Sequence, residues 1–217
     1  MQNKKKLFDS FYSNNIKNFV GVPDSLLSNF SKELEFNKNR ISHIIAPNEG
    51  SALSIAIGSY MTSNNLGVVY LQNSGLGNII NPFLSLAHKK VWSVPIFFVI
   101  GWRGYPKIKD EPQHISQGAV TTELLDALKI KYLIAKENDN YEKIIEKLKN
   151  YALKNSSSVA ILFPKKYVGF DARSSLANKD NIKMTRFRAI KAIIDTTKKK
   201  RYSYCNYRKD SERVVSF

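Results

Sequence analysis

Two apolar periods alternate along this chain of 217 residues. Leu7, Phe8, Phe11 and Tyr12 share one helical face. Residues 18–22 read as a short strand, and Asp24 as the N-cap of a helix that buries Leu26, Leu27 and Phe30. Residues 41–46 are a strand, 48–62 a helix of small residues, and 66–71 a buried strand. A glycine loop at 73–77 and a helix to about Lys89 follow, and residues 94–100 are the most apolar strand. Residues 101–114 hold two prolines and two glycines and read as a long loop. The alternation resumes with helix 116–128, strand 131–134, helix 141–153 and strand 158–163, which Pro164 ends. Residues 165–182 read as a linker, and 185–199 as a helix with Phe187, Ile190, Ile193 and Ile194 on one face. This order predicts a three-layer α/β/α domain over 1–164 with a mostly parallel sheet. Parallel strands need crossovers, so their C-terminal ends share one edge. That edge carries the loops at 22–25, 46–50, 72–78 and 101–114.

Composition narrows the class. Apolar residues at 43% and charged residues at 24% describe a globular chain and exclude a disordered one. The single cysteine, Cys205, excludes a disulfide framework and a multi-cysteine metal site. The apolar runs are too short to span a bilayer and the N-terminus lacks the apolar core of a signal peptide, so the expectation is a soluble, cytoplasmic protein without a membrane partner. The net charge is +16, and residues 183–217 carry half of it, with 11 basic and 3 acidic side chains. Before residue 183 there is no zinc spacing and no RNA-binding aromatic signature. A lysine-rich solvated surface with an irregular basic tail accounts for the excess, and no specific nucleic acid is expected.

Three segments could carry chemistry. Glu49, in Ala46-Pro47-Asn48-Glu49-Gly50, stands where a strand meets a helix of small residues. A glutamate there either complements the helix dipole or, partly buried, serves as an acid or base. Gly75 and Gly77, in Asn73-Ser74-Gly75-Leu76-Gly77, permit close backbone approach to a ligand or a tight turn. Ile80 occupies the third glycine position of a dinucleotide fingerprint, and there is no Walker sequence. Asp110-Glu111-Pro112-Gln113-His114 reads as a solvated loop or as a substrate loop with His114 as proton donor or anion contact. Arg103 and Lys109 could offer positive charge to an anionic substrate. His43 reads as a structural strand-face histidine and His88 as a surface one at a helix end.

Taken in order, six segments resemble the phosphonopyruvate decarboxylases and, in much of the pattern, the sulfopyruvate decarboxylases. They are Gly21-Val22-Pro23-Asp24-Ser25, Ala46 to Gly50, Gln72 to Asn78, Asn81-Pro82, Gly101-Trp102-Arg103-Gly104 and Lys109 to His114. Both groups are thiamine diphosphate enzymes. The resemblance implies a pyrimidine-binding domain and decarboxylation of 3-phosphonopyruvate to phosphonoacetaldehyde and CO2. The alternative it leaves open is the α subunit of a two-chain sulfopyruvate decarboxylase. A non-catalytic binding module with a basic tail is the alternative of another class. The resemblance further implies that Glu49 hydrogen-bonds the aminopyrimidine and promotes the tautomer that activates the thiazolium carbon. Asp24 and His114 would lie near a small anionic 2-oxo acid, and Ser74, Gly75, Leu76 and Gly77 in the loop that approaches the pyrimidine.

One departure shapes the expectation for partners. In the resembled family the diphosphate and Mg²⁺ are held by a Gly-Asp-Gly motif, which this sequence lacks. A diphosphate-binding domain or subunit is therefore expected to complete the site, in a homo-oligomer, and no metal ligand is assigned to this chain. Read one base later, codons compatible with residues 201–217 can spell the opening strand and Gly-Lys-Thr turn of that second domain. The expectation is a frameshift near Lys200, with 183–217 the stub of a lost domain, Cys205 a product of the shifted frame, and the isolated chain inactive. The alternative is that another chain supplies the domain.

Overall fold

All seven residues of Ile96–Trp102 are buried, and so are the six of Val159–Pro164. Runs buried on both faces are interior strands covered by helices on each side. The computed structural model describes residues 7–165 and 186–196, which fall in two units. In the first, β1 (Asn18–Gly21), β2 (Ser42–Ile45), β3 (Gly67–Gln72), β4 (Ile96–Trp102), β5 (Lys131–Ile134) and β6 (Val159–Pro164) form one sheet. The strand order is β2-β1-β3-β4-β6-β5, and every neighbouring pair is parallel. The three-layer expectation holds, with no antiparallel strand among the described residues.

The helices are α1 (Leu7–Ser13), α2 (Ser28–Phe36), α3 (Glu49–Ser63), α4 (Leu76–Pro82), α5 (Pro112–Ala119), α6 (Thr121–Ala127) and α7 (Tyr141–Asn155). Successive strand residues point to opposite faces, which divides the core in two. Val68, Tyr70, Phe97, Val99 and Ile161 pack with residues of α1, α2 and α7. Val69, Leu71, Phe98, Ile100 and Leu162 pack with residues of α3, α4 and α6. Phe11 anchors the first layer. Its ring meets Phe97 edge-on at 5.1 Å and Phe19 at 5.8 Å, geometry that adds to the area buried.

Four local expectations need correction. The residues 73–77 are not an open loop: a 3₁₀ turn at Asn73–Gly75 runs straight into α4. The helix expected to reach Lys89 passes through a π-helical turn, Phe83–Ala87, closed by the His88 N–H donating to the Phe83 carbonyl at 2.8 Å. Pro82 lies just before that turn and has no N–H to donate. The loop 101–114 is shorter, because β4 continues to Trp102 and α5 starts at Pro112. The single helix expected over 116–128 is two, α5 and α6, broken at Val120.

In the second unit, α8 (Arg186–Thr196) is the helix expected there, with Phe187 and Ile193 exposed. The expected linker beyond Lys165 and the tail from residue 197, with Cys205, lie outside the described residues.

Chain direction fixes where a ligand can sit. From β1 the chain moves outward to β2, then returns across β1 to β3. Between β1 and β3 the connections diverge, opening a crevice above the carboxyl ends of the strands. Phe97, fully buried between α1 and the sheet, tests this packing. Phe97→Ala should cost about 3–5 kcal/mol in denaturant unfolding. A loss under about 1 kcal/mol would contradict the packing described.

Candidate functional site

Glu49 opens α3. The Asn48 side chain caps the helix by accepting from the Ser51 N–H at 2.8 Å, which places Glu49 in the first turn at the positive end of the dipole. Its Oε2 accepts from Asn78 Nδ2 at 2.7 Å. Its other oxygen, Oε1, has no hydrogen-bond partner among the described residues. Gly75 stands against the carboxylate: a Cβ at that position would lie 2.5 Å from Glu49 Cδ and Oε1. Any side chain at 75 would displace the acid, so the first glycine of the motif is a steric requirement of Glu49. The Asn78 carbonyl faces Gly50. Four residues further on, Pro82 lacks the N–H that would have bonded that carbonyl within the helix.

Asp24 is not the N-cap of α2, which starts at Ser28 with Leu27 in the capping position. Its Oδ2 accepts from the Leu26 N–H at 2.8 Å, and its Oδ1 from Gln72 Nε2 at 2.8 Å. Ser74 Oγ donates to Gln72 Oε1 at 2.8 Å. Asp24, Gln72 and Ser74 therefore form one chain of hydrogen bonds across the ends of β1 and β3, at the crevice. Nothing local in the sequence singles out Gln72, since its partner Asp24 is 48 residues away.

The turn after β4 is fixed by buried polar groups. Asn73, 3% exposed, accepts from the Arg103 N–H and donates to the Arg103 carbonyl, each at 3.0 Å, and donates to Thr121 Oγ1 at 2.9 Å. Arg103 grips Asp110 with two parallel hydrogen bonds of 2.8 and 3.0 Å. The Asp110 side chain is 1% exposed and also accepts from the N–H groups of Gly104 and Glu111, at 3.0 Å each. Burial opposes its charge, but these two N–H groups and Arg103 outweigh that and hold the carboxyl well below the usual range. Lys165, after β6, adds a contact at 3.5 Å. Arg103 is thus committed to Asp110 rather than free for a substrate, a correction to the sequence reading. Gly104 closes the turn with φ +66°, in contact with the His114 carbonyl.

The candidate residues fall in three groups. Glu49, Gly75 and Asn78 are together. Asp24 and Ser74 are joined through Gln72. His114 sits in the first turn of α5, hydrogen-bonded to neither Glu49 nor Asp24 among the described residues. Its Nδ1 is buried without a partner. Gly77 is exposed, whereas Leu76 is 1% exposed and packs within the core. His43 is structural, as expected: its side chain is 2% exposed, Nε2 lies 2.9 Å from Tyr70 Oη, and burial pulls its pKa down.

Residues 1–130 match the family "Thiamine pyrophosphate enzyme, N-terminal TPP binding domain". The chain belongs to the thiamine pyrophosphate enzymes. Two kinds of relative in this family differ in how much of them the chain spans. It is 37% identical over 107 residues to phosphonopyruvate decarboxylase of Streptomyces viridochromogenes, a stretch covering 49% of this chain and 26% of that protein. It is 31% identical over 172 residues to sulfopyruvate decarboxylase subunit alpha of Methanocaldococcus jannaschii, covering 79% of this chain and 98% of that subunit. The corresponding subunit of Methanococcus maripaludis is 29% identical over 167 residues, 77% and 97% of the two chains. The chain thus spans about a quarter of the former and nearly all of the latter.

In this thiamine pyrophosphate domain the Arg103–Asp110 pair should show in acid. Asp110 has a lowered pKa when folded, against about 3.9 when unfolded. Its contribution is therefore complete above the unfolded value and lost as pH falls toward the folded one. Asp110→Asn should lower the melting temperature at pH 7, and the gap to wild type should narrow steadily from pH 5 to pH 3. A gap independent of pH would rule out the buried, ion-paired carboxylate.

Proposed function

We propose that this chain supplies the pyrimidine-side half of a thiamine diphosphate-dependent decarboxylase of small anionic 2-oxo acids. The observation that carries the reading is Glu49, with one oxygen held by Asn78, the other without a partner, and Gly75 clearing space beside it. A carboxylate so arranged suits a pyrimidine ring nitrogen, where it holds or gives up a proton. When bound, the cofactor supplies the electron sink for the carbon left as CO2 departs.

The chain's residues take the following parts. Glu49 Oε1 bonds the pyrimidine nitrogen, and Asn78 keeps the carboxylate turned toward it. Gly75, Gly77 and the Leu76 backbone bring the start of α4 close to the ring, with Ser74 at the rim. Asp24, oriented by Gln72 and the Leu26 N–H, faces the substrate carbonyl side. The unpartnered His114 Nδ1 suits a hydrogen bond to the substrate's anionic end. The diphosphate and Mg²⁺ fall to a second domain or subunit: among the described residues no group of three or more His, Cys, Asp or Glu could hold a metal. Exposed apolar residues on β2 and α3, Ile44, Ile45 and Ile55, suit cover by that partner or by a second copy.

For the substrate, we favour 3-phosphonopyruvate, giving phosphonoacetaldehyde and CO2, on the higher identity to phosphonopyruvate decarboxylases. The match along 98% of an alpha subunit favours a second reading, in which the chain is one subunit of a sulfopyruvate decarboxylase. Rates on the two oxo acids, with a diphosphate-domain partner added, decide between them. In that reconstituted enzyme Glu49→Gln should lower kcat at least ~100-fold without changing the circular dichroism spectrum. Near-normal turnover would remove Glu49 from the mechanism.

A further inference from the structure

The edge of the sheet opposite the crevice holds a second concave site. A cavity of about 210 Å³ opens beneath the π-helical turn, where the chain is about to enter β4, β5 and β6. Its floor is apolar, made by Phe83, Ala87 and Leu128, each at most 5% exposed. Its rim carries Lys89, Lys90 and Lys129, all exposed, from two segments of chain: the first two follow the π-turn and the third precedes β5. His88, Ser157 and Ser158 complete the lining, and no lining residue is acidic.

An apolar floor under three lysines selects for a ligand of matching construction. The charges favour a dianion, since each ammonium is a point charge that gains from phosphate oxygens. The floor favours a ligand with a hydrocarbon or aromatic body, because bare phosphate would leave Phe83 and Leu128 uncovered. The volume is below the usual 300–1,000 Å³ of drug-sized pockets, which sets an upper limit on the body at about one ring or a short chain. We propose that this cavity binds a small organic phosphate monoester, at a site separate from the decarboxylase site at the opposite sheet edge.

Phenyl phosphate is a suitable probe, with inorganic phosphate and phenol as its two halves. Trp92, 63% exposed in the turn beside the cavity, gives a fluorescence signal to accompany calorimetry on the full chain. Phenyl phosphate should saturate one site and bind at least ~5-fold tighter than either half, as joint use of charge and floor requires. The variant K89A/K90A/K129A should bind at least ~10-fold more weakly while melting at the wild-type temperature, because the three side chains are exposed. Glu49→Gln should bind phenyl phosphate as wild type does, which separates this site from the proposed decarboxylase site. Absence of saturable binding, equal binding by the triple variant, or loss of binding in Glu49→Gln would each overturn the proposal.

Discussion

A parallel sheet cannot fold back through hairpins, and that constraint organises this molecule. Every strand must be followed by a crossover, so all carboxyl ends reach the same edge. At that edge β1 and β3 separate their connections, and the chain collects Asp24, Glu49 and the pair Gln72 and Asn78 from three segments distant in sequence. The site exists because the topology gathers these loops. The strands β4 and β6 are buried on both faces, and hydrogen bonds of 2.7–2.8 Å join the loops gathered at the edge.

Within that frame, small local choices set the chemistry. Glycine at 75 leaves room for the Glu49 carboxylate, and Asn78 takes one of its oxygens. Pro82 ends the regular ladder of α4 and passes the chain into a π-turn. Asn73 and Asp110 are polar groups taken out of water, and each is matched by several partners, so their burial fixes the turn after β4 instead of weakening it. This is how the Arg103 guanidinium comes to act as a fastener of the loop.

Much of the fold was legible in the sequence. Strand 131–134 coincides with β5, and the other strands and α7 differ from their expected limits by one or two residues, because continuous apolar runs and helical spacing are local signals. The misread parts depend on distant contacts. Glycines at 75 and 77 suggested a loop, yet Gly75 serves Glu49, 26 positions earlier, inside helical backbone. The break at Val120 separates α5, whose Gly118 packs on Gly104, from α6, whose Thr121 is bound by Asn73. Asp24 resembled an N-cap because it precedes a helix, whereas Gln72 sets its orientation. Glu49 was the most legible candidate residue, standing at a strand-to-helix junction in a distinctive segment, while the contacts of Asn78 and Gln72 emerge only from the fold.

The proposed function requires the pyrimidine of thiamine diphosphate to sit beside Glu49. The most direct measurement is a crystal structure of this chain assembled with a diphosphate-binding partner and the cofactor. The account predicts a Glu49 carboxylate oxygen within hydrogen-bond distance of a pyrimidine ring nitrogen, with Asn78 still bonded to the other oxygen and the Gly75 backbone against the ring. A cofactor bound with its pyrimidine away from Glu49 would contradict it.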